Sequence, residues 1–427
     1  MGGVSLQIYK GNIIFTKNKN TFEVIKNGFI VVEDGKVINV YDILPDNYKN
    51  IDIIDYKDKL IIPGMNDLHA HASQFRNIGM AMSKELIPWL NNYTFPEESK
   101  YSNLDYSSKM YKKFVKEVWK KGTTRIAVFA TIHKDSTLQL IDIFEKSGLG
   151  AFVGKVNMNI NCLDELLEDT YQSIIDTEEI LKRYSSENNL VKPIITPRFI
   201  PSCDSELLSA LGELAFKYNI PIQSHLSENL GEIKWVKELQ PESSFYGDAY
   251  NKFNLFGQTK TLMAHCVYSN DEELDLMKKN NVTAVHCPFS NLNLASGIMP
   301  IRRFLDKGIS VALGSDISGG HELSMFKVIV NTIQSSKVCW INSNKEFDFL
   351  NLSEAFYLAT KGGGSFFGKV GSFEKDYDFD ALIIDDENLN HDNYSLMERL
   401  ERFIYLGDDR NIVHRYVRGN LIDEPNF

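Results

Sequence analysis

Cysteine is scarce and shows no pairing pattern. The 427 residues contain five cysteines (Cys162, Cys203, Cys266, Cys287 and Cys339), and no two of them form a CxxC pair. An odd, scattered set excludes a disulfide framework and a zinc ribbon and fits a reducing compartment. Sequons such as the one beginning at Asn281 therefore carry no glycosylation signal. Excess positive charge is also missing: 46 basic residues against 57 acidic ones leave a formal net charge of −11. That balance argues against a duplex nucleic-acid partner, which needs a basic face opposite its phosphates. No apolar run reaches the length of a membrane span, and MGGVSLQIYKGNIIF has no cleavable signal pattern. The expectation is a cytoplasmic protein without membrane or nucleic-acid partners. What is present is an ordinary globular composition, 43% hydrophobic and 24% charged, in a chain long enough for one large domain and a smaller one.

Residues 5–62 alternate apolar and polar side chains in the runs LQIYKGNIIF and FIVVEDGKVINV, the second broken by the Asp34-Gly35 turn signal. This predicts a small β-meander. The same texture returns at FDALIID (379–385), IYLG (404–407) and HRYVRGNLI (414–422). Between these β-rich ends eight β-branched runs recur: 61–69, 124–130, 151–157, 192–199, 220–226, 261–267, 283–288 and 310–316. Amphipathic helical patterns fill the gaps, as in 107–122, 205–219 and 271–280, the last with Asp271 near its start. Eight β/α alternations fit a closed parallel barrel or a doubly wound sheet. The polar residues favour the barrel, because catalytic groups gather at the C-terminal ends of barrel strands. Here those ends carry His69, His71, Arg198, His225, His265, His286 and Asp316.

His69 and His71 stand two apart on the first run, so both face one side of a strand and can share a metal ion. Imidazoles and a carboxylate are the ligand set that borderline cations such as zinc prefer, and five histidines plus Asp316 end predicted strands. Glu228 lies three residues beyond His225, within reach of a metal-bound water, where a carboxylate can carry protons between water and a leaving group. Other patterns fail on geometry. Gly148-Leu-Gly150 with Gly154 precedes a strand, whereas a dinucleotide loop follows one. Cys266 beside His265 faces the opposite side of its strand and reads as a buried small hydrophobe. His133, His321, His391 and His414 have no partner in the pattern and default to surface or supporting roles.

At PGMNDLHAHASQ the sequence resembles the amidohydrolase superfamily. Further strings (HAHASQ, WLNNYTFPEE, GTTRIAVFATIH, KPIITPRF, QSHLSEN, AHCVY, HCPFSNLNLASG, LGSDISGG and IYLGDDRNI) are similar to the guanine deaminases within it. The resemblance implies a (β/α)8 TIM-like barrel over 63–369 with a small β-sandwich domain built from 1–62 and 370–427. It also implies hydrolysis of guanine to xanthine and ammonia by a homodimer with one zinc ion per chain. Carried over by motif, the ligands are His69, His71, His225 and Asp316, with Glu228 and His265 at the reacting water and ring and Gln74, Arg198 and Phe199 holding the purine. His286 and Lys155 are then not ligands. Two departures bear on pocket shape: Cys266 stands where a small residue such as glycine is expected, and Phe289 where a polar one is more usual. The fourth run ends in TPRF rather than the bridging lysine of binuclear relatives, which implies one metal.

In the implied reaction the metal lowers the pKa of a water. Asp316 takes a proton from it, Glu228 protonates the ring nitrogen and the departing ammonia, and His265 orients the nucleophile. Two other classes remain open. A related hydrolase acting on another amino-heterocycle or a halogenated triazine would share the metal set without needing Arg198. A non-catalytic protein on the same fold would be expected to lose ligands, and none is missing.

Overall fold

A computed structural model describes residues 6–184, 189–389 and 392–427; His391 lies outside them. Eight strands make the barrel: β1 (Met65–His71), β2 (Thr123–Phe129), β3 (Gly150–Gly154), β4 (Val191–Pro193), β5 (Ile222–Leu226), β6 (Thr261–His265), β7 (Thr283–His286) and β8 (Val311–Leu313). β1 to β4 and β5 to β8 form two four-stranded parallel sheets. The first seam between them is the bridge Ile195–Ile222. At the second, Asp316 N donates to the His69 carbonyl and His71 N to that of Ile317, both at 2.8 Å. Both edges are therefore joined, and the doubly wound alternative falls away.

Side chains inside the ring, among them Leu68, Ala127, Ile194, Ala264, Val285 and Ala312, form one apolar cluster. The outer strand faces pack under helices. One of these, Leu104–Lys120, begins where the Asn103 side chain accepts from the backbone N–H groups of Asp105 and Tyr106, and buries Met110, Tyr111, Phe114, Val115 and Val118 at helical spacing. The 205–219 and 271–280 patterns become helices Ser205–Tyr218 and Asp271–Asn280, the latter capped by Asn270. Gly148 takes φ 74° as the left-handed C-cap of helix Lys134–Ser147 and feeds β3, which is why its glycine pattern is no dinucleotide loop.

The chain ends build one seven-stranded sheet in the order Asn420–Leu421, Ile412–Val417, Ala381–Ile384, Ile53–Pro63, Leu6–Thr16, Phe22–Glu33, Lys36–Tyr41. It curls over its own core, with the Tyr9 ring 4.5 Å from Phe379 and 5.1 Å from Tyr416. Its two ends meet where Phe379 N donates to the Gly35 carbonyl at 2.8 Å. Asp34 (φ 48°) and Gly35 (φ 77°) make the expected tight hairpin.

Several local expectations need correction. The N-terminal strands are not a simple meander, because Ile53–Pro63 returns parallel to Leu6–Thr16. The run 61–69 is two strands divided at Gly64: Ile61 and Ile62 pair with Ile383 and Leu382 in the terminal sheet, and the barrel starts at Met65. A Cβ on Gly64 would lie 2.2 Å from Thr124 Oγ1, so only glycine allows the chain to pass so close to β2. IYLG is the tail of an amphipathic helix, Leu396–Leu406, opened by a Ser395–Glu398 capping box and burying Leu400, Phe403 and Ile404. Four apolar-rich residues are too few to separate a period of two from one of 3.6. The runs at 151–157 and 192–199 are also interrupted, and Val156–Asn157 pairs with Thr196–Pro197 as a separate extension above β3 and β4.

Candidate active site

The C-terminal ends of β1, β5, β6 and β8 deliver a compact group of donor atoms. His69 Nε2 and His71 Nε2 lie 3.2 and 3.3 Å from Asp316 Oδ1, and His225 Nε2 lies 3.2 Å from His71 Nε2. Four ligands placed about 2.0–2.1 Å from a tetrahedral zinc ion are separated by about 3.3–3.4 Å, so the spacing matches the edges of that tetrahedron. His69 Nε2 is buried without a hydrogen-bond partner, an unusual state for a ring nitrogen unless something else takes its lone pair. His225 Nδ1 lies 2.6 Å from the Arg198 carbonyl; donation there leaves the Nε2 lone pair facing the cluster. The donor set and its spacing fit a single metal ion.

Backbone strain helps to aim these groups. Ser227, His265, Cys266 and Asp316 have φ of 48°, 76°, 50° and 45°, left-handed values that side chains other than glycine rarely adopt. On β6, Ala264 packs inside the barrel, so simple alternation would send His265 outward. The left-handed turn instead brings His265 Nε2 to 3.4 Å from Glu228 Oε2 and 3.7 Å from Asp316 Oδ2. Asn291 Oδ1 holds its Nδ1 at 2.9 Å.

Charge is distributed unevenly. Burial lowers His71 to about 4 and, with the neighbouring imidazoles, takes His225 well below its ordinary value. Burial alone would push Asp316 up, but His69, His71 and His265 outweigh it and hold the carboxylate well below the usual range. Glu228 goes the other way, pushed up to about 8 by burial and by the charge of Asp316, against a hydrogen bond from Ser296 Oγ at 3.1 Å. Two carboxylates thus sit side by side with opposite protonation preferences, the pattern that separates an acid from a base.

The cluster floors a cavity whose wall also carries Gln74, Arg198, Phe199, Glu232, Trp89 and Leu294. All nine residues singled out by sequence line this cavity except His69, which stands in the cluster at its base. Arg198 and Gln74 are not free-standing: Arg198 Nη1 donates to Glu98 Oε2 at 2.7 Å and Gln74 Nε2 to Glu98 Oε1 at 2.8 Å. Glu98 carried no role in the sequence reading, although the string WLNNYTFPEE contains it; the signal was a carboxylate inside an aromatic, apolar stretch. Trp89, Leu86, Leu90 and Glu232 were missed as well, since they come from connecting segments rather than strand ends.

The other candidates fall elsewhere. His286 is buried, and strand alternation carries it to the face opposite Val285, outside the donor cluster. Lys155 is buried in an ion pair with Glu168 and donates to the Val156 carbonyl at 3.1 Å. Cys266 is buried in the apolar layer between barrel and helices, and the Phe289 ring lies 4.6 Å from that of His321. His133 and His414 are both half-buried away from the cluster.

Residues 60–422 match the profile of the Amidohydrolase family. The chain belongs to that family of metal-dependent hydrolases. Several of the similar proteins are guanine deaminases. The guanine deaminase of Dictyostelium discoideum is 40% identical over 98% of this chain and 98% of its own. That of Escherichia coli is 33% identical over 94% and 92%. A crystal structure of guanine deaminase from C. acetobutylicum, with guanine bound in the active site, is 61% identical, with a TM-score of 0.97 over 98% of this chain and all of that one.

Proposed function

We propose that the protein is a guanine deaminase that converts guanine and water to xanthine and ammonia. The observation that carries this reading is the meeting, in one cavity, of a four-ligand metal set with an arginine, a glutamine and a phenylalanine suited to a purine. The likeness to guanine deaminases along nearly the whole chain supports it. His69, His71, His225 and Asp316 would hold one ion, for which the nitrogen-rich set favours zinc. When bound, such an ion lowers the pKa of water toward neutrality and supports developing negative charge.

The chain's own groups then carry the protons. Asp316, ionised and 3.7 Å from His265, accepts the proton of the attacking water. Glu228, protonated at neutral pH, gives its proton to the ring nitrogen beside C2, then takes the proton of the new C2 hydroxyl and passes it to the amine, while Asp316 returns its proton to bulk water. The C2–O bond forms, the C2–N bond breaks, and ammonia leaves. His265, held by Asn291, orients the nucleophile. Arg198 donates to the carbonyl oxygen at C6, a position where adenine presents a donor instead, and a site that leaves buried donors unpaired rejects such a ligand strongly. Gln74 meets a further edge atom, and Phe199 packs on the ring. A cytoplasmic homodimer is part of the same proposal and rests on the resemblance; among the described residues no helix is long and apolar enough to cross a membrane.

The test is ammonia release from a panel of free bases, nucleosides and amino-triazines by the metal-loaded protein. Xanthine formation from guanine, with little action on adenine or cytosine, is expected. Efficient hydrolysis of another amino-heterocycle with none of guanine overturns the reading.

A further inference from the structure

One buried acid in the cavity region has no part in the proton transfers. Glu98 ends the short helix Phe95–Glu98, in the segment between β1 and β2, and is 3% exposed. Its two oxygens are divided between two cavity residues from different strand ends, Oε1 to Gln74 Nε2 and Oε2 to Arg198 Nη1. Gln74 Oε1 in turn accepts from Ser318 N at 3.3 Å, and the Arg198 guanidinium lies 4.9 Å from the centre of the Phe95 ring.

This arrangement has a geometric and an electrostatic consequence. An amide tied at Nε2 by a carboxylate and at Oε1 by both the backbone N–H and the hydroxyl of Ser318, the latter at 3.5 Å, cannot flip, so what Gln74 offers a ligand is fixed: its second N–H. A guanidinium tied at one Nη1 likewise keeps a set direction for its remaining donors. The charge argument is separate. A buried guanidinium without a counter-ion attracts anions, whereas one paired with a carboxylate presents hydrogen bonds on a nearly neutral background. Guanine is neutral near pH 7, but xanthine, with an N3–H beside its new C2 carbonyl, is the stronger acid and is partly anionic there.

We propose that Glu98 is a positioning and specificity-determining residue: it fixes Arg198 and Gln74 for a neutral purine edge and, by cancelling the guanidinium charge, keeps the anionic product from being retained. The proposal rests on the guanine deaminase reading above.

The test compares the metal-loaded wild type with Glu98→Gln and with Glu98→Gln/Arg198→Met, which leaves no unpaired buried charge. Guanine kinetics, xanthine inhibition from about pH 6 to 8.5, metal content and Tm are measured. Glu98→Gln is expected to raise KM for guanine at least about tenfold while kcat changes less than about threefold, the signature of lost binding rather than lost chemistry. Xanthine inhibition should tighten relative to guanine binding, increasingly so as pH rises. The double variant should keep the raised KM but lose that pH-dependent tightening. An unchanged KM, a fall in kcat at constant KM, or xanthine inhibition weakening in step with KM at every pH overturns the proposal. Should Glu98→Gln fail to fold, a wild-type KM in the double variant overturns it equally. Absence of guanine turnover in the wild type sinks the functional reading instead, whereas normal turnover with unmoved constants in the variants sinks only this inference.

Discussion

Glu228 combines a protonated carboxyl with a place 3.4 Å from His265, so its titratable proton is what a substitution should remove. Glu228→Gln preserves volume, and we expect near-normal metal content by elemental analysis with turnover lower by at least about a hundredfold, the scale of general acid–base catalysis. Near-wild-type turnover would rule out the role. Replacing His69, His71, His225 or Asp316 by alanine should instead cost the metal itself, measured after dialysis; two ions bound tightly per wild-type chain would contradict the single-metal reading. Arg198→Ala should erase the preference for guanine, read as a ratio of kcat/KM values across the base panel. Much of this site was legible in the sequence, because strand-end positions and a two-residue spacing translate directly into direction. Glu98 was not legible: its importance lies in two partners, Gln74 and Arg198, that are far away in the chain and adjacent only after folding.

Single elements carry their own constraints. Gly64 lets the chain leave the terminal sheet and enter β1 against Thr124. Gly64→Ala should lower stability by about 1–3 kcal/mol through overpacking, and Thr124→Ala in the same chain should restore part of it in urea unfolding. Helix Leu230–Leu239 opens with Glu232, which accepts from the backbone N–H groups of Glu228 and Asn229 at 3.1 and 3.3 Å. Burial above all pushes Glu232 up to about 7, against about 4.3 in an unfolded chain. Between those values the native state keeps a proton that the unfolded state has released, so this contribution to stability falls as pH rises through the window and then levels off. Glu232→Gln should flatten the decline, seen as urea midpoints at pH 5, 6, 7 and 8; an unchanged slope would remove Glu232 as its source. The barrel strands were readable because β-branched runs alternate with helical patterns. The break at Gly64 and the helix over IYLG were not, since both depend on which partner strand or core the residues meet.

At the scale of the whole molecule, the terminal sheet is locked to the barrel by buried charge. Arg125 on β2 donates to Asp380 at 2.6 and 3.0 Å and to Asp378 at 3.1 Å. Arg125→Met leaves the Asp380 carboxylate buried without its guanidinium partner, though still bonded to the Arg418 backbone N–H, and should destabilise by about 3–5 kcal/mol, while Arg125→Met/Asp380→Asn should recover part of the loss; equilibrium urea unfolding measures both. The sheet's composition from both chain ends also bears on how the protein is made. Leu60 and Ile61 pair with Ile384 and Ile383, so the strand that covers them leaves the ribosome on the order of tens of seconds later at synthesis rates of about 5–20 residues per second. Through that interval the N-terminal strands wait with an open edge, the exposure that invites pairing with another nascent chain. Lys57, Asp58 and Lys59 stand immediately before the waiting segment, where charge discourages such pairing. A chain released before Ala381 would carry every barrel strand, and with it the whole candidate site, yet keep this seam unsealed.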